Sequence, residues 1–221
     1  MFIIKDKPQS VLAEAYRTLR TNIQYSSFDK KVKSIVVTSA EPGEGKSTTC
    51  SNLAIAFAQN GERVVLIDCD LRKPSMHRIF KISNIEGLSD ILIGKEKFEN
   101  IVKKDIENLY LIPAGKIPPN PAEMLGSKNM EKLLEKLKEE FDIIILDTAP
   151  LQAVTDAQIL STKVDATILV VKSNVTNKDS LLQAKSLLEK VGANIIGTIL
   201  NGVEEKRGKY YHYYYYGNDD K

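Results

Sequence analysis

The sequence contains few cysteines and no long apolar run, and both absences narrow the class of protein. Its 221 residues include two cysteines, Cys50 and Cys69, whose separation fits neither a metal site nor a disulfide framework. We therefore expect two core thiols in a reducing compartment. No stretch approaches the roughly 18 apolar residues of a membrane-spanning helix, and the opening apolar residues are too few for a signal peptide. These absences predict a cytoplasmic protein.

Strong net charge and clustered histidines are also missing. The formal net charge is only +2 at pH 7, so a global basic field that would hold nucleic acid is absent and no nucleic-acid partner is expected. His77 and His212 are isolated, which favours structural or solvent-facing positions. With 43% hydrophobic and 27% charged residues, the composition is that of one globular domain.

Short runs rich in Val and Ile predict buried strands, which an α/β fold with a mainly parallel sheet flanked by helices on both faces would contain. The runs cover residues 34–39, 63–68, 108–113, 141–147, 165–172 and 193–200. Segments of helical period lie near residues 9–26, 46–60, 128–140 and 178–190. Shorter helices are predicted near 74–80, 87–93 and 121–126, the last starting at Pro121.

The stretch "SAEPGEGKSTTC" begins at Ser39 and follows the first predicted strand. Gly43 and Gly45 permit backbone torsions that turn several amide N–H groups towards one anion, and the helix that follows adds its dipole. Lys46 can then reach the β- and γ-phosphates, and Ser47 can ligate Mg²⁺. The pattern is therefore a P-loop of the Walker A type.

Two details qualify this P-loop assignment. Ala40 replaces the first glycine of the usual pattern. A dinucleotide-binding GxGxxG loop does not fit, because Thr48 stands at the position of its third glycine, whereas Thr48 can meet an α-phosphate. We expect ATP to be bound by Glu41, Pro42, Gly43, Glu44, Gly45, Lys46, Ser47 and Thr48.

Three aspartates stand at the ends of predicted strands. Asp68 and Asp70 close "VVLIDCDLRKP", and residues i and i+2 of a strand point the same way. Asp147 ends "FDIIILDTAP" as a Walker B aspartate would. Adjacent carboxylates repel unless a cation lies near them, and nucleotide-bound Mg²⁺ is the obvious cation. We expect a metal shell of Ser47, Asp70 and Asp147, and a catalytic group of Lys46, Asp68, Asp70 and Asp147.

Together these motifs resemble the bacterial protein-tyrosine kinases (BY-kinases) of the capsular and exopolysaccharide type, which are P-loop NTPases of the deviant Walker type. The matching features are "AEPGEGKST", "VVLIDCDLRKP" (Walker A′), "IIILDTAP", "EAYRTLRTNI", "IPAGKIPPNPAEML" and the terminal tyrosines. The related partition ATPases act as switches and usually carry a second lysine early in Walker A. "AEPGEGK" has no such lysine, which favours the kinase over the alternative, a partition-type switch.

The last residues are rich in tyrosine. After Val203 the chain reads "EEKRGK" and then "YYHYYYY", which predicts one kinase domain over 1–203 and a flexible tail over 204–221. The resemblance implies autophosphorylation of this tail with ATP and Mg²⁺, with Asp68 orienting the phenol and accepting its proton. A tail that stacks on nucleic acid is disfavoured by the nearby Asp219 and Asp220. The expected acceptors are Tyr210, Tyr211, Tyr213, Tyr214, Tyr215 and Tyr216.

Two further features each have two interpretations. Glu14, Arg17 and Arg20 are spaced by three in the predicted helix 9–26. On general grounds they form intrahelical ion pairs on a solvated face, whereas the resemblance implies the interface of a ring-like homo-oligomer in which one subunit's tail enters its neighbour's active site. Asn201 forms either an Asn-Gly turn or, as in related ATPases, a contact with adenine.

The resemblance also implies partners and a location. It corresponds to a two-protein arrangement in which a separate membrane protein of the polysaccharide co-polymerase type activates the kinase through a cytoplasmic tail. A cognate tyrosine phosphatase would reverse the phosphorylation. The kinase would then be cytoplasmic and would associate with the membrane through its activator.

Overall fold

The computed structural model of the protein describes residues 2–26 and 31–203. In these ranges the strands are β1 (Ser34–Ser39), β2 (Val64–Asp68), β3 (Lys103–Ile106), β4 (Leu109–Ile112), β5 (Ile143–Asp147), β6 (Ala166–Lys172) and β7 (Ile195–Asn201). The helices are α1 (Ile3–Asp6), α2 (Val11–Gln24), α3 (Lys46–Gln59), α4 (Met76–Phe80), α5 (Leu88–Leu92), α6 (Phe98–Ile101), α7 (Pro121–Gly126), α8 (Lys128–Glu140), α9 (Asp156–Ser161) and α10 (Lys178–Lys190).

All described strands belong to one sheet of order β3-β4-β2-β5-β1-β6-β7. Every neighbouring pair is parallel except β3 and β4, which are antiparallel. The prediction of a mainly parallel sheet is confirmed, and the six predicted strands are all present. The structure adds β3, an edge strand that exposes Lys103, Lys104 and Asp105. No apolar run marks such a strand in the sequence.

Helices cover both faces of the sheet, as the apolar strands predict. Neighbouring residues of β1 point to opposite faces: Val37 joins a cluster with Phe57 of α3, while Val36 joins another with Leu134 of α8. In a third cluster, Leu188 of α10 packs with Leu169 of β6. These strand residues are at most 1% exposed, so burial on both faces accounts for their nearly uniform apolar character.

The helix bounds lie close to those predicted. The first long helix begins at Val11, because the Ser10 side chain accepts the Ala13 N–H as a cap. The short helices α1, α6 and α9, of four, four and six residues, were not predicted. Cys50 and Cys69 are buried free thiols, as expected. In the part of the chain described here, no helix is long and apolar enough to cross a membrane.

The strand order brings the functional motifs to one edge of the sheet. β1 lies between β5 and β6, and β5 also pairs with β2. The register aligns Asp68 of β2 directly with Asp147 of β5, and Val37 of β1 with the same Asp147. The loops that follow these three parallel strands therefore emerge side by side at the carboxyl edge, where ligands of α/β sheets bind.

Candidate active site

The loop between β1 and α3 has the backbone of a phosphate-binding loop. Gly43 (φ 78°) and Gly45 (φ 95°) both have left-handed torsions, which glycine adopts without a steric penalty. Gly45 is also the residue that precedes the first turn of α3, which begins at Lys46. The helix dipole and its free N–H groups are thus directed at this loop, as anion binding requires. Pro42, Gly43 and Thr48 are exposed to solvent there.

Asn201, at the end of β7, is packed against the phosphate-binding loop. Its Nδ2 donates to the Glu44 carbonyl at 3.0 Å, and its Oδ1 accepts the Gly202 N–H at 2.9 Å. A Cβ at Gly45 would lie 1.9 Å from this Nδ2. A side chain at position 45 would therefore have to displace the Asn201 amide, in addition to the strain of its left-handed torsion. Asn201 is the last residue of β7, and Gly202 after it has a left-handed φ of 71°. The turn and a contact of Asn201 with adenine both stay predictions.

Ser47 connects the Walker A loop to the Walker B aspartate. Its hydroxyl donates to Asp147 Oδ2 at 2.6 Å and accepts a hydrogen bond from Ser75 Oγ at 2.9 Å. Cys50 Sγ lies 3.6 Å from the other oxygen of Asp147. One lone pair of the Ser47 hydroxyl is left for a cation. Sequence reasoning missed Ser75, because an isolated serine after a charged loop carries no distinguishing pattern.

Asp68 is fully buried beside Asp147. Its Oδ2 accepts the N–H groups of Ser75 and Met76, each at 2.9 Å, and its Oδ1 accepts the Asp70 N–H at 3.2 Å. Burial, and then the negative charge of Asp147, raise the pKa of Asp68, while the Met76 and Ser75 N–H groups oppose the rise. The carboxyl group is thus a stronger proton acceptor than an exposed aspartate.

Asp147 is also a buried carboxylate, but a hydrogen bond and a nearby positive charge partly stabilise its charged form. Burial raises its pKa, and the hydrogen bond from Ser47 and the charge of Lys46 lower it, while Asp70 raises it again. Lys46 is itself only 8% exposed. Two buried carboxylates are thus held side by side with one lysine close enough to act on one of them. A further cation would stabilise this arrangement.

The donor atoms at this edge suit Mg²⁺. They are hydroxyl and carboxylate oxygens from Ser47, Asp147 and the nearby Asp70, and Mg²⁺ prefers one or two carboxylates together with water and substrate phosphates over an all-protein cage. The residues therefore fit an ion that arrives with a nucleotide.

Besides Asp68, two aspartates fix the Walker A′ loop, and of these only Asp70 was predicted. Asp70 accepts the N–H groups of Arg72 and Lys73 at 3.3 and 2.9 Å. Arg72 reaches Asp156 at the start of α9 with two hydrogen bonds of 3.0 and 3.1 Å. Asp156 is fully buried, and its carboxylate raises the pKa of Arg72. This ion pair ties the Walker A′ loop to the segment after Walker B.

The remaining predicted residues lie elsewhere or outside the described ranges. In α2, Arg17 pairs with Glu14 at 2.8 Å and also donates to the Pro8 carbonyl, while Arg20 donates to the Ala56 carbonyl of α3 at 3.1 Å. The Glu14–Arg17 pair is intrahelical, whereas Arg20 contacts α3 instead of an acidic side chain of its own helix. A subunit interface stays a prediction. The tail 204–221 with its six tyrosines and His212 lies outside the described residues.

The Walker A loop, the strand-end aspartates and the parallel sheet define a P-loop nucleotide-binding protein. A family model described as an AAA domain matches residues 32–197. The chain is 45% identical to the tyrosine-protein kinase YwqD of Bacillus subtilis over 90% of this chain and 85% of that protein.

Two solved structures agree with that match. The kinase domain of Escherichia coli tyrosine kinase ETK superposes with a TM-score of 0.90 at 33% identity, over 94% of this chain and 82% of that one. The crystal structure of the chimerical protein CapA2B2 superposes with a TM-score of 0.87 at 39% identity, over 90% and 88% of the two chains. The chain belongs to the family of bacterial tyrosine-protein kinases, as its motifs indicate.

Proposed function

We propose that this protein is an ATP- and Mg²⁺-dependent protein-tyrosine kinase that transfers the γ-phosphoryl group of ATP to tyrosine hydroxyls. The observation that carries the proposal is the buried pair Asp68 and Asp147, aligned in register beside Lys46 and Ser47 at the carboxyl edge of the sheet. The 45% identity to a tyrosine-protein kinase supports the choice of reaction. A partition-type switch is less well supported, because the loop has no second lysine.

Each residue has a distinct part in the proposed reaction. The N–H groups of the loop and Lys46 bind the phosphates and neutralise their charge, which carries most of the catalysis when the transition state is loose. Mg²⁺, when bound with the nucleotide near Ser47, Asp147 and Asp70, would supply further positive charge. Asp68 orients the tyrosine hydroxyl and accepts its proton. An unperturbed tyrosine has a pKa of about 10 and an aspartate about 4, so the raised pKa of Asp68 narrows an unfavourable gap. Asp68 can accept this proton only as a carboxylate, the form that nearby Mg²⁺ and Lys46 favour.

The proposed acceptors are the six tyrosines of the tail, Tyr210, Tyr211, Tyr213, Tyr214, Tyr215 and Tyr216. We propose that they react in trans within a ring-like homo-oligomer. Support comes from α2, where Val11 and Leu12 are 56% and 52% exposed next to Glu14 and Arg17. Exposed aliphatic side chains beside polar ones are typical of a surface that another protein covers.

The regulation belongs to the same proposal. A separate membrane activator of the polysaccharide co-polymerase type would bind the kinase and bring it to the membrane, and a cognate tyrosine phosphatase would remove the phosphates. The cycle would control capsular and exopolysaccharide synthesis and export. This part rests on the family to which the chain belongs.

Purified protein incubated with labelled ATP and Mg²⁺ tests the kinase assignment. We expect phosphotyrosine in residues 210–216, mapped by mass spectrometry, and its loss in Lys46→Met and in a chain without residues 204–221. Lys46→Met removes a phosphate-binding charge from a loop, so circular dichroism should show an intact fold. Lys185→Met, which breaks only a pair of half-exposed side chains with Glu189, is the matched control and should react normally.

The same experiment separates the kinase from the switch. A switch would form no phosphotyrosine, and its ATP hydrolysis would respond to DNA or lipid surfaces. Phosphorylation of Lys46→Met at the wild-type rate would contradict the assigned role of the loop, even if tyrosine were the acceptor.

A further inference from the structure

Glu44 is an unusual residue for an anion-binding loop, because its negative charge is buried. The residue is 2% exposed, and none of the ion pairs found in residues 2–26 and 31–203 includes it. A buried carboxylate without a cation is costly unless hydrogen bonds satisfy its oxygens. Here Oε2 accepts the Glu41 N–H at 3.0 Å, and Oε1 is bonded to the Thr176 hydroxyl.

The Thr176 hydroxyl is oriented so that its proton faces Glu44. Its oxygen accepts the Lys172 N–H at 2.8 Å, and a carboxylate can only accept, so the hydroxyl proton must be donated to Glu44. Thr176 lies between the end of β6 at Lys172 and the start of α10 at Lys178. The hydrogen bond therefore connects the phosphate-binding loop to a part of the chain that carries none of the predicted catalytic residues.

A second hydroxyl acts on the loop from the same side. Ser180 Oγ, in the first turn of α10, donates to Glu41 Oε1 at 2.6 Å. Thus two carboxylates of the loop, Glu41 and Glu44, are both held by hydroxyls from the segment 176–180. Glu44 is held from two directions, since its other oxygen accepts the Glu41 N–H within the loop.

We propose that Thr176 is a positioning residue for nucleotide binding, which holds the phosphate-binding loop in its receptive shape through Glu44. This deepens the proposed function, since it concerns the same nucleotide site. Without the hydroxyl, one oxygen of a buried carboxylate lacks a donor, and the side chain gains by turning out to water. The loop must then change shape. When the competent shape is only partly populated, the apparent affinity for nucleotide falls by the same fraction.

The test compares Thr176→Val, which has nearly the same shape without the hydroxyl, with Thr176→Ser, which keeps the hydroxyl. ADP binding is measured by titration calorimetry on the full chain, with and without Mg²⁺. We expect Thr176→Val to bind ADP about tenfold more weakly, corresponding to a competent fraction of about one tenth. Thr176→Ser should stay within about twofold of wild type. Thr162→Val, which removes an exposed hydroxyl that donates to the Ile159 carbonyl, is the matched control and should bind normally.

Steady-state kinetics provide a second measurement, in which a purely structural role of Thr176 would leave the KM for ATP unchanged. In Thr176→Val the KM for ATP should rise by a factor similar to that of the ADP dissociation constant, while kcat changes by less than about threefold, because saturating nucleotide repopulates the competent loop. Wild-type ADP affinity in Thr176→Val would overturn the proposal, and so would a Thr176→Ser variant as weak as Thr176→Val.

A double-mutant cycle keeps the test decisive if Thr176→Val is unstable. Glu44→Gln loses one acceptor of the same pair, so its effect on ADP binding should not add to that of Thr176→Val. Fully additive effects would refute the coupling. Because ADP binding is measured directly, the result is independent of phosphotyrosine formation. If the wild-type protein binds ADP but forms no phosphotyrosine, the kinase function is refuted. The comparison of ADP binding between wild type and the Thr176 variants still tests the role of Thr176.

Discussion

The aligned carboxylates of Asp68 and Asp147 predict a pH-dependent stability that the variant Asp68→Asn should remove. In the unfolded chain each aspartate is exposed and ionises near pH 4. In the folded chain, burial and the charge of Asp147 raise the pKa of Asp68 from 3.8 to about 8. The folded state therefore keeps a proton that the unfolded state releases. The resulting stabilisation is fully present below pH 4 and is lost as the pH rises through 8.

The size of the effect follows from one proton. One proton that is bound only in the folded state makes the free energy of unfolding fall by up to about 1.4 kcal/mol for each unit that the pH rises. The pKa of Asp147 is raised only to about 6, so above pH 6.5 Asp68 dominates. Between pH 6.5 and 8 we expect wild type to lose about 1 to 2 kcal/mol more than the variant. For a domain of this length that corresponds to about 2 to 8 °C in melting temperature.

Urea unfolding of nucleotide-free protein in EDTA, at several pH values from 5.5 to 8.5, is the assay. Asp68→Asn should show a flatter profile even if its stability at pH 6 is lower, because an amide cannot accept all three N–H groups that contact the carboxylate. Mg²⁺ with ADP should flatten the wild-type profile as well, since a nearby cation favours the charged form. Parallel profiles for wild type and variant would show that Asp68 keeps its charge in the folded state.

Two further predictions concern the loop and the assembly. Gly45→Ala combines a left-handed torsion with a Cβ 1.9 Å from Asn201 Nδ2, whereas Gly61 has a similar φ of 89° and no atom within 4 Å of its Cβ position. Gly45→Ala and the control Gly61→Ala should each lose about 1 to 2 kcal/mol of stability, but only Gly45→Ala should also lose ADP binding. Equal ADP binding by the two variants would show that the contact between position 45 and Asn201 does not matter for the nucleotide site. Arg17→Ala with Arg20→Ala should be monomeric by light scattering and poorly autophosphorylated, while changing all six tail tyrosines to Phe should leave assembly intact. Arg17→Ala alone keeps the contact of Arg20 with the Ala56 carbonyl, so it separates loss of an interface from loss of packing between α2 and α3. A double variant that still assembles would exclude an interface at α2.

The parts of the fold that could be predicted are those whose chemistry is local in sequence. Asp68 and Asp147 stand out because each charge ends an apolar run, and Gly43 and Gly45 because they precede a lysine at the start of a helix. Such signals depend on neighbouring residues alone. The strand order that aligns the two aspartates is not a local signal, because β5 inserts between β2 and β1, both of which lie far earlier in the chain.

The parts that could not be predicted depend on distant contacts. Arg72 and Asp156 are separated by 84 positions, and Glu44 and Thr176 by 132. In the sequence, Thr176 resembles an ordinary residue before a helix, and a buried carboxylate resembles an exposed one. β3 was missed because Lys103, Lys104 and Asp105 are exposed residues of an edge strand. Their side chains contact solvent, so they do not show the apolar pattern of a buried strand.

The two edges of the described sheet differ in how they would behave towards another polypeptide. β3 displays two lysines and an aspartate, charges that hinder a foreign strand from pairing with its free backbone groups. β7 has the sequence "IIGTILN", without a charged residue, and leaves Leu200 59% exposed. Growth of the sheet by strand addition is therefore directional, favoured at β7 and hindered at β3. Crowded or partly unfolded preparations should aggregate through the β7 edge, and a lysine at Thr198 should improve their solubility.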